Sequence, residues 1–283
     1  MWMKIIYLDV RLSSYGFILF FILSGGAGMG VAAQVEGVMP VSYLAGCSAT
    51  AYDRDWIAFQ NPAALGGVQH TALNALFQNR FGMKELSTGT LSLSVPVGSF
   101  RGGVAVSHFG FEDYNESMVG LALAKTFDKR LTLGIQADYY LVSMSAERSN
   151  KACLLVQVGL LSKLLPGFTV GFSVFNPVRQ SIQYESFSQR VPSVASLGIG
   201  YDLTDDLQWI MQIDKEMEAD IRIAGGFEYR PVDILTLRVG GYGAPFVPTL
   251  GAGVLWKKIR FDVNFERHVV LGVTSVAGLQ YTF

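Results

Sequence analysis

At 283 residues the chain is long enough for one large barrel or about one to two ordinary domains. Half of it is hydrophobic and only 16% is charged. Soluble domains carry about a quarter charged residues, so a lipid-facing surface or an unusually large core must account for the difference. A net charge of −1 with no basic block argues against nucleic acid as a partner.

Residues 1–33 read as a secretory signal peptide. Lys4 and Arg11 supply its positive charge, Phe17 to Leu23 its apolar heart, and Val31-Ala32-Ala33 a small-residue cleavage site, so the mature chain is expected to begin near Gln34. Leu44-Ala45-Gly46-Cys47 also spells a lipobox. It lies far from the apolar heart with Glu36 between, which makes lipidation of Cys47 the lesser alternative. Beyond this leader no uncharged apolar run of about 18 residues occurs, which argues against helical membrane spans.

Residues 34–70 do not alternate. Asp53 or Asp55 is placed to cap a short helix carrying Trp56 and Phe59, and Pro62 disfavours helix at Asn61. The plain expectation is a loop with one helical turn packed against the remainder of the chain.

From Thr71 the chain becomes a run of alternating segments. Leu131, Leu133, Ile135, Ala137, Tyr139 and Leu141 interleave with Thr132, Gln136, Asp138 and Tyr140. Ile259, Phe261, Val263 and Phe265 interleave with Arg260, Asp262, Asn264 and Glu266. One such segment suits any half-buried strand. Their recurrence without helical interruption predicts an all-β, closed antiparallel transmembrane barrel. Segments at 71–80, 86–97, 100–110, 115–127, 129–145, 151–163, 167–175, 191–203, 206–216, 220–230, 233–242, 246–257, 259–267 and 271–283 give about fourteen strands. Every second connection is tight, such as Phe127 to Arg130 and Lys257-Lys258, whereas the other set includes Asn176 to Pro192. Short turns belong on the periplasmic side of such barrels, which places both termini there, in the outer membrane of a Gram-negative bacterium. The long loop is then expected to turn Tyr184, Phe187 and Arg190 to the outside.

The last segment alternates strictly. Leu279, Tyr281 and Phe283 share one face; Gly278, Gln280 and Thr282 share the other. An apolar final strand suits a barrel in which it pairs with the first, leaving no open edge. Gly278-x-x-Tyr281-x-Phe283 resembles the C-terminal signal by which outer-membrane barrels are recognised for assembly, though Val276 stands where that signal usually has a polar residue. The partners this implies are outer-membrane lipid and the barrel-assembly machinery.

Cys47 and Cys153 are too few for a disulfide framework; free thiols and a single bridge both remain open. His70, His108 and His268 are scattered without metal-ligand spacing, so neither metal nor cofactor is expected. The Ser107-His108 pair is the one catalytic candidate, and a lone rim histidine is usually a polar surface residue, so the chain reads as a non-enzyme. The inner faces should carry Asp138, Asp214, Arg222, Glu228, Arg230, Arg238, Arg260, Asp262 and Glu266. Mixed signs point to a salt-bridged lumen rather than to a one-sign ion filter. Small or apolar inward positions such as Gly120, Ala122, Ala124, Gly159, Ile210 and Ala224 leave room for an internal occupant. The segment carrying Trp56 and Phe59 is the natural one.

An N-terminal stretch ending in Asn61-Pro62-Ala63 just before the first strand resembles the FadL-type long-chain fatty-acid channels. The stretch from Leu44 through Trp56-Ile57-Ala58-Phe59-Gln60-Asn61-Pro62-Ala63-Ala64-Leu65 also looks like the PorV and PorQ barrels of type IX secretion, with Cys47 where that run often has glycine or alanine. The resemblance implies a barrel with residues 34–70 as an internal hatch and 71–283 as the wall, with Trp56, Phe59, Asn61, Pro62 and Ala63 as hatch residues. Two functions follow as expectations: passage or binding of a small hydrophobic molecule, or a non-transporting scaffold or shuttle for a protein partner held at the 176–192 loop.

Overall fold

The computed structural model describes Val38, Met39 and residues 56–145, 149–184 and 188–283. The expected signal peptide, the mature start at Gln34, Cys47, the capping Asp53 or Asp55, and Phe187 lie outside the described residues.

Alternation in the sequence is realised as strands β1 (Ala72–Asn79), β2 (Ser87–Val97), β3 (Phe100–Gly110), β4 (Tyr114–Phe127), β5 (Leu131–Met144), β6 (Ser149–Leu165) and β7 (Phe168–Phe175). After the short β8 (Ser181–Gln183) and β9 (Ser188–Arg190) come β10 (Val194–Asp202), β11 (Leu207–Glu216), β12 (Ile221–Val232), β13 (Leu235–Tyr242), β14 (Val247–Trp256), β15 (Ile259–His268) and β16 (Gly272–Thr282). All but β8 and β9 form one closed antiparallel barrel of fourteen strands. Closure is made by β1, whose Ala75 stands opposite Leu91 of β2 and Leu279 of β16. The backbone groups of the wall are thereby paired strand to strand, as a structure in hydrocarbon requires.

Side-chain period sorts the wall into two surfaces. On β4 and β5, Leu121, Leu123, Leu133 and Ile135 stand exposed, while Glu116, Met118, Gln136 and Asp138 are buried within. The same division holds at the last strand, where Leu279, Tyr281 and Phe283 face out and Gly278 faces in. Tyr281 and Phe283 meet edge to face, 4.9 Å between ring centroids, and the Phe283 amide donates to the Thr71 carbonyl at 2.9 Å. The apolar outer surface is what lipid, not water, would solvate. Leu121→Arg, in the middle of β4 and 62% exposed, is therefore expected to cost about 2–4 kcal/mol of folding into vesicles, measured by urea titration.

Turns at one end are tight. At Phe127–Leu131, Asp128 and Lys129 both take positive φ (47° and 59°), as in a primed turn, and the Arg130 amide donates to Phe127 O at 3.1 Å. At the other end the 176–192 connection does not lie open as the sequence suggested. Ile182 and Tyr184, two apart on β8 and its extension, share one face and bury it in the barrel core together with Val191. Tyr184 is thus inside, because an apolar ribbon face is worth more buried than exposed. Arg190 stays at the surface, bonded to Glu218 at 2.7 Å. Asn176, at positive φ (50°), anchors the connection: its amide donates to Val191 O at 2.9 Å and its carbonyl accepts from the Gln180 amide.

Candidate functional site: a hatch on a glycine seat

Trp56 to Val68 runs inside the barrel. The expected helix at Trp56 and Phe59 does not form among the described residues. Trp56 to Gln60 is an irregular turn with Phe59 at φ 63°, and a 3-10 turn begins only at Pro62 and runs to Gly67. Proline ends a helix before it but opens one well, since its missing N–H is an orphan in the first turn. Asn61 caps this turn, its side-chain carbonyl accepting from the Ala63 amide at 3.0 Å.

Hydrogen bonds tie the turn to the wall. The Asn61 amide donates to Leu160 O of β6 at 3.3 Å, and Arg101 Nε of β3 donates to Val68 O at 2.7 Å. Between them the turn rests on glycines. Gly103, Gly120, Gly134 and Gly159 lie on the inner faces of β3, β4, β5 and β6, and a Cβ on any of them would overlap the inner segment from Trp56 to Leu65. At Gly103 the obstacle is the Trp56 ring, at Gly120 the Phe59 ring together with the Asp138 carboxylate, at Gly134 the Pro62–Ala63 backbone, and at Gly159 Asn61 and Pro62. Gly120 and Gly159 were legible as small inward positions; Gly103, Gly134 and Arg101 were not singled out. Glycines on the inner faces of four consecutive strands were the available signal.

Trp56, Phe59, Asn61, Ala63 and Leu65 are all buried here. Trp56, Phe59 and Leu65 pack in one cluster with Met118, Tyr140, Leu155 and the ribbon residues Ile182 and Tyr184. Around the turn this half of the lumen is mainly apolar, with Glu116, Gln136 and Asp138 among its buried polar side chains.

The other half is charged. All the expected inward acids and bases except Asp138 lie on β11 to β15. Arg238 Nε reaches Glu228 at 2.9 Å and its Nη1 reaches Asp262 at 2.7 Å, with all three side chains at most 4% exposed. Arg260 meets Asp262 at 2.9 Å, Arg230 meets Glu228 at 3.6 Å, and Arg222 meets Asp214 at 2.6 Å. Arg222 also stacks on the Tyr242 ring, whose hydroxyl donates to Glu266 at 3.0 Å. Asp138 sits apart on β5, accepting from Gln136 at 2.7 Å beneath the hatch. The neighbours it meets there are Gln136, Gly120 and Phe59, since the arginines of the network are all on the opposite wall.

Ser107 and His108 do not form a pair. Adjacent on a strand, they point to opposite faces: Ser107 is buried and shares a 2.8 Å bond with Thr90, whereas exposed His108 lies 2.9 Å from Ser117. Cys153 is a free thiol.

No protein-family profile matches the chain, and no curated protein matches it in sequence. Among solved structures it resembles a Pseudomonas aeruginosa FadL homologue, with a TM-score of 0.59 and 14% identity over 87% of this chain and 99% of that one. It also resembles the Pseudomonas putida toluene transporter TodX, with a TM-score of 0.59 and 10% identity over 86% of this chain and 96% of that one. The Acinetobacter baumannii outer membrane protein Omp33 aligns at 0.50 with 9% identity, over 76% and 98% of the two chains. At such identities the likeness is one of fold.

Proposed function

We propose that this chain is an outer-membrane barrel of FadL-like type that binds or passes a small hydrophobic molecule, with Trp56 to Val68 as the hatch and both termini in the periplasm. The observation that carries the reading is the apolar half-lumen built around the seated hatch, where Trp56, Phe59, Met118 and Leu155 are buried together. An apolar solute gains by leaving water for such a lining. Likeness to the toluene transporter TodX supports the same class of cargo. The Gly278-x-x-Tyr281-x-Phe283 ending supplies the contact with the barrel-assembly machinery.

The test is mass spectrometry of organic extracts from the barrel purified in mild detergent. A reproducible bound hydrophobe is expected, reduced at least tenfold by Phe59→Ala. Extracts no richer than those of an unrelated barrel would sink the reading. They would favour a scaffold that holds a protein partner at the 176–192 loop, a reading to which the filling of the mouth by Ile182 and Tyr184 lends support. Crosslinking from Arg190, exposed on that loop, would then be expected to capture the partner.

A further inference from the structure

The hatch meets the barrel in two chemically different ways. Toward β3 to β6 the contact is dry: backbone and rings rest directly on glycine, with Asn61 and Arg101 bonded across. Toward β1, β2 and β16 a cavity of about 20 Å³ separates Trp56, Ile57 and Ala58 from the wall. Asn74 and Ser92 line it with polar side chains, as do Thr90, bonded to Ser107, and Gln280, beside the apolar Ala75, Leu76 and Leu279. Asp262 lines it too, but its two oxygens are committed to Arg238 and Arg260. The Trp56 side chain is 3% exposed, and its indole N–H has no hydrogen-bond partner among the described residues.

Volume and chemistry fix the occupant. A water needs roughly 10–15 Å³ of space measured at its centre and two to four polar partners. This cavity offers that room, borders the Trp56 side chain whose buried donor requires an acceptor, and has Asn74 and Ser92 to accept in turn. An apolar guest would leave the indole N–H unsatisfied, and a solute much larger than water would not fit.

We propose that one water molecule bridges the Trp56 indole to the β1–β2–β16 wall and is the latch of the hatch. We further infer that the hatch comes away on this side while staying seated on β3 to β6. A water-mediated bond is exchanged for bulk water at little cost. Leaving the glycine seat would forfeit close packing over the whole turn. The passage therefore runs between Trp56–Ala58 and β1, β2 and β16. This path rests on the hatch reading above, but its test needs no substrate.

The experiment measures how fast a water-soluble methanethiosulfonate modifies single cysteines in the barrel reconstituted in liposomes, with Cys47 and Cys153 replaced by alanine. Ser92→Cys reports on the latch side and Ala105→Cys, on the inner face of β3, on the seat side. The latch is broken by placing benzothienylalanine at position 56, which keeps the bicyclic ring and removes the N–H. It is broken independently by Asn74→Leu. Each change is expected to speed modification at position 92 at least tenfold and to leave position 105 unchanged. Equal acceleration at both positions, acceleration at 105 alone, or none at 92 would overturn the proposal. Failure of the extraction experiment with success here would reject the cargo and keep the path.

Discussion

Gly134→Leu is expected to unseat the hatch while leaving the barrel closed. On β5 the Cβ of any other residue would run into the Pro62–Ala63 backbone, and backbone cannot rotate aside as a flexible side chain can. Overpacking of this kind costs about 1–3 kcal/mol where side chains yield, and more where they do not. At about 3 kcal/mol the ratio of seated to unseated hatch falls more than a hundredfold. The strand itself gains, because leucine packs better on a pleated surface than glycine does. Two readouts separate these effects: limited proteolysis within residues 56–70 should become fast, and resistance of the barrel to unfolding in cold detergent should persist. Gly89→Leu is the control, since a Cβ there meets nothing within 4 Å. Protection of residues 56–70 equal to that of the parent would mean that the glycine seat does not hold the hatch.

The barrel was legible because alternation is a one-dimensional signal. Leu131 to Leu141 alternate over many residues, and no other secondary structure gives that period, so the strands and their inward sets could be read directly. Paired lumen charges were foreseeable for the same reason. Which acid meets which arginine was not, because Arg238 reaches Glu228 and Asp262, 10 and 24 residues away, only through the register of β12 to β15. Asp138 obeyed the alternation yet joined no arginine, since strand order around the barrel sets it on the far wall. The 176–192 connection was misread for another reason. Ile182 and Tyr184 show too short an alternation to announce a buried face, and only the hollow mouth of the barrel makes burial available.

The two halves of the lumen differ in what holds them together. The hatch lies against small residues and apolar side chains, with hydrogen bonds to the wall at Asn61 and Arg101. The charged wall on β11 to β15 is crosslinked within itself. It forms ion pairs along the barrel circumference, Arg222 with Asp214 and Arg238 with Glu228 and Asp262.

Arg238→Met is expected to be the most damaging single change in the charged half. Its guanidinium is 1% exposed and lies between the Glu228 and Asp262 carboxylates. Removing it buries two anions with less compensation, and breaking a buried pair from one side costs about 3–5 kcal/mol. Arg230 and Arg260 still stand beside those carboxylates, at 3.6 and 2.9 Å, so the lower end of that range is the expectation. The midpoint of denaturant unfolding in micelles should fall accordingly. Adding Glu228→Gln and Asp262→Asn to Arg238→Met takes away the stranded charges and should restore most of the loss, because a neutral replacement of a buried charged triad is often no less stable than the original. A triple variant as unstable as the single one would mean that Arg238 acts through packing rather than through charge. A single variant as stable as the parent would mean that Arg230 and Arg260 suffice to hold both carboxylates. The outcome bears on the lumen as a whole: if neutral side chains serve equally well, the charges on β11 to β15 are a way of filling a wide barrel with polar groups that satisfy one another.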